Sequence, residues 1–263
     1  MIEVKNIQVF RGNKMIVRDA SFSIIPGKIC VLIGKNGAGK STLLDAICGK
    51  HKVHSGQILW EKENLSDIRL QDLATYRSVL SQQISLNFTL AVGQIVEMGT
   101  YAYGNQLSRK EIKQQVAIAL EEVGMSSFIE RSFTTLSGGE QKRVLLAKCL
   151  TQLLSDPNGN GNKYLFLDEP TSSLDLNQQH KLIALVKKLI SKYQIGVFTV
   201  LHDINLAAQF ADTLLAMKEG SITHVGTPES ILQPDILQDI LDIKAIIHKH
   251  PVFGCPQVTA LPL

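Results

Sequence analysis

The octapeptide Gly34-Lys35-Asn36-Gly37-Ala38-Gly39-Lys40-Ser41 constrains the fold of this 263-residue chain more than any other stretch. It follows Ile29-Cys30-Val31-Leu32-Ile33, a continuous apolar run that reads as a parallel strand buried on both faces. It also opens a predicted helix. Glycines let backbone N–H groups turn inward and surround phosphate oxygens. The N-terminus of the helix adds a field that favours negative charge. In this strand–loop–helix setting Lys40 is placed to reach the β- and γ-phosphates of a nucleotide, and the Ser41 hydroxyl to ligate Mg²⁺. Asn36, Gly37, Ala38, Gly39, Lys40, Ser41 and Thr42 are therefore the candidate nucleotide-binding residues of the loop.

Two further apolar runs, Tyr164–Leu167 and Gly196–Leu201, read as strands of the same kind. Such strands need helices on both faces. One starts at residue 40, and another lies near 177–192, where Leu182, Leu185 and Leu189 recur at helical spacing. The N-terminus alternates Ile2, Val4, Ile7 and Val9 with polar residues and reads as a strand, without the basic start and apolar block of a signal peptide. The middle is helical in pattern. Ile112, Val116, Leu120 and Val123 form one stripe, and a second helix begins near Gln141 with Val144, Leu145 and Cys149 inward. The expected organisation is one domain over 1–263. Residues 1–75 and 160–230 form an α/β core, 76–159 a helical subdomain, and 231–263 a tail with a short helix and then proline-punctuated coil. Residues 155–162 read as a turn-rich surface loop.

Composition excludes several classes. Lys+Arg 27 against Asp+Glu 24 gives a net charge of +3, too weak for a nucleic-acid footprint. No apolar run is long enough to span a bilayer. The cysteines Cys30, Cys48, Cys149 and Cys255 form no CxxC pair, and the first three fall in apolar strand-like or helix-like runs as small buried hydrophobes.

Leu165-Phe166-Leu167-Asp168-Glu169 supplies the second half of a phosphate site. An apolar strand ending in Asp holds a carboxylate for Mg²⁺ at the phosphate end of a parallel sheet. Glu169 is placed to polarise an attacking water. These residues point to hydrolysis of a nucleoside triphosphate, without saying what it drives.

Leu136-Ser137-Gly138-Gly139-Glu140-Gln141 narrows the class. Here the chain resembles the ATP-binding cassette family, whose signature is LSGGQ-like. The resemblance covers nearly the whole chain, with the motifs in the family's order. It implies a RecA-like P-loop NTPase core of α/β class, an antiparallel N-terminal β-subdomain and an inserted helical subdomain that carries the signature. The residues suit a second phosphate site. Ser137 offers a hydroxyl, Gly138 and Gly139 allow close backbone approach, and a helix N-terminus, with Glu140 in its first turn, faces the anion. The resemblance further implies a head-to-tail homodimer that sandwiches each ATP between one chain's P-loop and the other's signature.

More site residues carry over by position. Gln82 resembles the Q-loop glutamine that reaches Mg²⁺, with Gln83 competing for the register. Asp175, in Ser173-Leu174-Asp175, resembles the D-loop aspartate at the dimer interface. His202 resembles the switch histidine that contacts the γ-phosphate. Phe10 sits where the family has an aromatic that stacks on adenine, a core phenylalanine being the other reading. The expected catalytic set is Glu169, His202, Lys40 and Gln82, and the expected Mg²⁺ set is Ser41, Gln82 and Asp168.

A single separate cassette resembles the ATPase subunit of a bacterial importer. Phe88-Thr89-Leu90-Ala91-Val92 and Val96-Glu97-Met98-Gly99 resemble the iron-siderophore, heme and vitamin B12 importer group. In that group the region after the Q-loop forms a groove for a permease helix. The ending from Lys249 to Pro256 and the spacer Ser155–Asn162 are similar to those of heme-importing members, so heme is favoured over siderophore or cobalamin as cargo. The implied partners are a second ATPase subunit, two transmembrane permease subunits and, indirectly, a periplasmic binding protein. The implied cofactors are ATP and Mg²⁺, and the implied place is the cytoplasmic face of the inner membrane. A cassette ATPase outside transport is the alternative.

Overall fold

The computed structural model describes residues 1–81, 89–157, 159 and 161–262. The chain falls into two units, one made of Met1–Ile68 and Gly196–Leu263 and the other of Arg69–Ile195. The first segment contains strands β1 (Ile2–Arg11), β2 (Lys14–Val17), β3 (Phe22–Ile24) and β4 (Ile29–Gly34), helix α1 (Lys40–Ile47), and strands β5 (Ser55–Trp60) and β6 (Glu63–Asn64). The second unit contains α2 (Leu70–Tyr76), β7 (Arg77–Leu80), α3 (Val92–Glu97), a 3₁₀ stretch Met98–Gln106, α4 (Arg109–Glu122), α5 (Gly138–Leu154), β8 (Tyr164–Asp168) and α6 (Leu176–Tyr193). The chain returns to the first unit through β9 (Gly196–Val200), α7 (Ile204–Phe210), β10 (Thr213–Lys218), β11 (Ser221–Gly226), α8 (Pro228–Ile231), α9 (Pro234–Leu241), β12 (Ala245–Lys249) and β13 (Pro256–Ala260).

In the first unit β4 lies between β10 and β9, parallel to both, and β11 is antiparallel to β10. Every residue of β4 and of β9 is buried, as a strand covered on both faces requires. The glycine-rich loop leaves the C-terminal end of β4, where parallel sheets present their ligands. A second, antiparallel sheet packs against this layer. In it β1 pairs with β2, β3 and β5, and β5 pairs with β6. The two layers meet where Phe22 stacks on Phe198, ring centroids 5.7 Å apart.

The N-terminal alternation contains an irregularity with a structural meaning. Ile2, Val4, Ile7 and Val9 are all buried, although the step from 4 to 7 breaks a period of two. The β1–β5 register shifts between Lys5 and Gln8, and Asn6 lies at φ 48° with its N–H on Ser21 Oγ, 2.8 Å away. A bulge thus absorbs the extra residue and returns Ile7 to the core face.

In the second unit β7 and β8 are parallel, and α5 is the helix against which α3, α4, β7 and the 3₁₀ stretch pack. Gln152 of α5 holds this unit together. Its amide nitrogen donates to the carbonyls of Ala74 (2.7 Å) and Arg77 (3.0 Å), and its amide oxygen accepts from Ser78 Oγ (2.8 Å). Residues 160–195, read from the sequence as part of the α/β core, cluster with this second unit.

One local expectation is corrected. The tail does not end in coil, because β12 and β13 form an antiparallel hairpin over Ala245–Ala260. Its periodicity is too short to stand out between prolines. The described residues between 155 and 162 form the expected turn-rich loop, exposed at Pro157, Gly159 and Gly161 and anchored at its base. Ser155 is buried, and Asp156 pairs with Lys163, which also donates to the Thr75 carbonyl. Cys30, Cys48 and Cys149 are buried as expected. Among the described residues no helix is long and apolar enough to cross a membrane.

Candidate nucleotide site

The first unit builds a phosphate cradle from the end of β4. Lys40, the first residue of α1, is only 6% exposed. A buried ammonium needs acceptors. The loop supplies them, because Lys40 Nζ donates to the carbonyls of Gly34 (2.8 Å) and Lys35 (2.9 Å). Gly39 caps α1 at φ 107°, and a Cβ there would meet Ile16 O and Met217 Cε at 3.1 Å. The hand of the turn therefore requires glycine. The loop is also braced from outside. Gly220, between β10 and β11, donates to Ala38 O (2.9 Å) and accepts from Arg18 N (2.8 Å) at φ 87°. A cation and backbone donors at a helix N-terminus are the donor set that a polyphosphate needs. Ser41 is exposed at the first turn of α1 and Thr42 is buried within it.

A cleft of about 160 Å³ adjoins the cradle, lined by Asn36, Gly37 and Ala38 of the loop, by Met217–Glu219 and by Ile240 of α9. Lys35 is paired with Asp242 at 3.1 Å, and Lys218 with Asp239 at 2.5 Å, so α9 is tethered on both sides of this cleft. Phe10, in β1, is half-buried and meets the His54 ring edge-on with centroids 4.8 Å apart. His202 is exposed after β9, and Asp203 caps α7 by accepting from Leu206 N (2.9 Å).

The second unit carries the remaining residues. Asp168 ends β8 and is half-buried. Glu169 follows at φ 48° and Ser173 at φ 64°, both in the left-handed region that non-glycine residues rarely enter. The tight turn Glu169–Asp175 is fixed by Gln179, whose amide donates to the carbonyls of Thr171 (3.4 Å) and Leu174 (3.0 Å). Asp175 caps α6 by accepting from Gln178 N (2.9 Å).

The signature residues form the start of α5 as a capping box. Ser137 is the N-cap, and both its N–H and its hydroxyl donate to Glu140 Oε2 at 2.8 Å. Those bonds hold the Glu140 carboxyl below its ordinary range. A Cβ on Gly139 would lie 2.7 Å from Gln178 Oε1 of α6, and one on Gly138 would lie 3.8 Å from Leu174. The signature glycines and the Asp175 turn are therefore neighbours within this unit. Lys142, one turn further along α5, has its pKa lowered by burial, opposed by the charge of Asp168. Gln82 and Gln83 lie outside the described residues, as does Phe88.

Comparison with known proteins decides the family. The family model described as "ABC transporter" matches residues 17–172. The chain belongs to the ABC transporter family. A hemin import ATP-binding protein from Hydrogenovibrio crunogenus is 39% identical over 98% of this chain and 99% of its own length. One from Methylobacillus flagellatus is 34% identical over 99% and 96%. Among solved structures, an inward-facing ABC transporter assigned to the metal-chelate type superposes with a TM-score of 0.82 at 26% identity, over 100% of this chain and 97% of that one. The cassette MJ0796, solved as a dimer in a post-hydrolysis state with ADP and Pi, gives 0.72 at 25% identity over 86% and 98%. The fold is thus that of a P-loop NTPase with mixed α/β sheets, and the chain is an ATP-binding, ATP-hydrolysing member of the family.

Several residues of this cassette have no motif to announce them. Gly220 could have been suspected from the Glu-Gly turn between two strands, but nothing in the sequence shows that it braces the P-loop. His54 beside Phe10, Gln152 and Asn205 carry no sequence signal. Each acts through one specific long-range contact, and periodicity does not record such contacts.

Proposed function

We propose that this chain powers heme import through a membrane permease as a homodimer with two equivalent ATP sites. The observation that carries the cargo is the run of relatives named as hemin import ATP-binding proteins, 34–39% identical over at least 95% of this chain.

In this reading the P-loop N–H groups and Lys40 hold the phosphates, and Phe10 carries the adenine. Ser41, Asp168 and Gln82 would hold Mg²⁺, which would neutralise charge on the phosphates. Glu169 accepts a proton from the attacking water and orients it in line with the γ-phosphate. Lys40 and His202 stabilise the charge that develops on the transferred group. Ser137 turns its hydroxyl from Glu140 toward the nucleotide of the partner subunit, and Asp175 lies at that interface. The domain assignment is that of one cassette, with the signature on an inserted helical subdomain.

The permease would dock on the second unit. A groove of about 520 Å³ is lined by Ala91, Gly93, Gln94 and Glu97 of the α3 region, Lys113 and Val116 of α4, and Ile129 and Glu130. Its mixed lining of apolar residues and charged Glu97, Lys113 and Glu130 suits an amphipathic helix. Docking there puts the chain at the cytoplasmic face of the inner membrane, with a periplasmic binding protein delivering cargo.

Two experiments test this. Glu169→Gln should give a stable ATP-bound dimer with almost no turnover, and a monomer that hydrolyses ATP at the normal rate would refute the dimer and the base together. Vesicles reconstituted with the permease should take up heme on ATP addition and ignore ferric siderophore and cobalamin. The reverse selectivity would move the chain to another cargo class.

A further inference from the structure

The last strand of the chain is fastened to the helix after His202 by a side chain. Asn205 Nδ2 donates to Val258 O at 3.0 Å, and Val258 N donates to Asn205 Oδ1 at 2.7 Å. A carboxamide carries a donor and an acceptor side by side, like a peptide group. The pair therefore reproduces the reciprocal bonding of two antiparallel residues. Val258 faces Ile247 across the β12–β13 hairpin, yet both of its backbone groups go to Asn205. It is also the buried residue of β13.

The place of Asn205 gives this contact its consequence. It lies in the first turn of α7, two residues after the cap Asp203 and three after His202. A helix of seven residues is too short to fix its own direction in water. The orientation of its first turn depends on what holds it from outside. The same C-terminal segment also reaches the P-loop, through the Lys35–Asp242 pair and through Ile240, which lines the cleft with Gly37 and Ala38. One continuous stretch of chain thus touches the phosphate cradle at α9 and the start of α7 at β13.

We propose that Asn205 is a positioning residue for His202, with the C-terminal hairpin as the fixed body against which it is held. This rests on the reading that His202 acts in ATP hydrolysis. A displaced His202 loses contact with the transferring phosphate while the cradle and the adenine site stay intact. The effect therefore belongs in kcat and not in ATP affinity.

The test is steady-state ATP hydrolysis by the purified full-length chain, with ATP affinity measured separately. Asn205→Ala should lower kcat about tenfold and leave KM within about twofold. Asn205→Asp, which keeps the acceptor for Val258 N but sets a carboxylate against Val258 O, should do the same. In the His202→Ala background, Asn205→Ala should cause no further loss, because the two act as one unit. If Asn205→Ala is not recovered folded, Val258→Pro removes one donor from the clamp, at a residue whose N–H bonds Asn205 and not β12, and should reproduce the kcat loss. A normal kcat in folded Asn205→Ala, beside a crippled His202→Ala, overturns the proposal and leaves the role of His202 standing. A further loss on top of His202→Ala overturns it too. A harmless His202→Ala removes both.

Discussion

Gly220→Ala is the sharpest test of how the P-loop is held. At φ 87° the residue sits in the left-handed region, where a Cβ costs about 1–2 kcal/mol. The added methyl would lie 2.4 Å from Ile16 O, well inside the 3.0 Å that real Cβ contacts keep. The neighbour is backbone on a paired strand, so the turn must move outward. Overpacking of this kind costs about 1–3 kcal/mol more. Gly12→Ala is the control, since Gly12 has φ 61° and no atom within 4 Å of an added Cβ. It carries the backbone term without the clash, and the loss of unfolded-chain entropy is common to both variants. Urea unfolding followed by circular dichroism should therefore show Gly220→Ala about 1–3 kcal/mol less stable than Gly12→Ala. Movement of the turn also pulls on Ala38 O, which accepts from Gly220 N, so KM for ATP should rise in the first variant. Equal stability of the two variants with unchanged ATP affinity would refute the bracing role.

His54→Ala should raise KM for ATP about twofold to tenfold and spare kcat, since an edge-on ring pair is worth about 0.5–1.5 kcal/mol and only orients Phe10. Titration of ATP binding by fluorescence would check it, and a pure kcat effect would count against adenine stacking by Phe10. Glu140 predicts a pH effect. Its folded pKa lies below the ordinary 4.5, so its contribution to stability is present above that value and is lost as pH falls through the folded pKa. Glu140→Gln keeps the capping amide without the charge, and its thermal midpoint should fall less than that of the parent on acidification from above pH 4.5. A parallel fall in both proteins would show that the carboxylate bonds to Ser137 do not matter.

The parts of this cassette that are legible in its sequence are those whose chemistry is local. The strand–loop–helix around Lys40, the buried run ending at Asp168 and the Ser-Gly-Gly-Glu start of α5 each combine residue type with spacing, and each element stands where that pattern puts it. Phe10 and His202 needed the family frame, since a lone aromatic or histidine has no spacing to speak for it. The hairpin β12–β13 was unreadable. Its apolar residues Ile246 and Val252 are solvent-exposed and its prolines suggest coil, while its link to α7 runs through a side chain fifty-three positions earlier. The bulge at Asn6 was hidden for the opposite reason, because its flanking residues already looked like an ordinary strand.

The division of the chain has a consequence for biosynthesis. The unit that holds the P-loop is made of the first and the last segments, and a bond such as that from Ile29 N to the Asp212 carboxylate joins residues 183 positions apart. Strand β4 and its glycine loop leave the ribosome early, but β9 and β10, which cover the strand on both sides, follow only after the whole second unit has been made. Until then this apolar strand has no strand partner. The sheet that carries the nucleotide loop is thus closed only once Thr213–Lys218 has been made, so a chain released before that point carries the glycine loop on an unflanked strand.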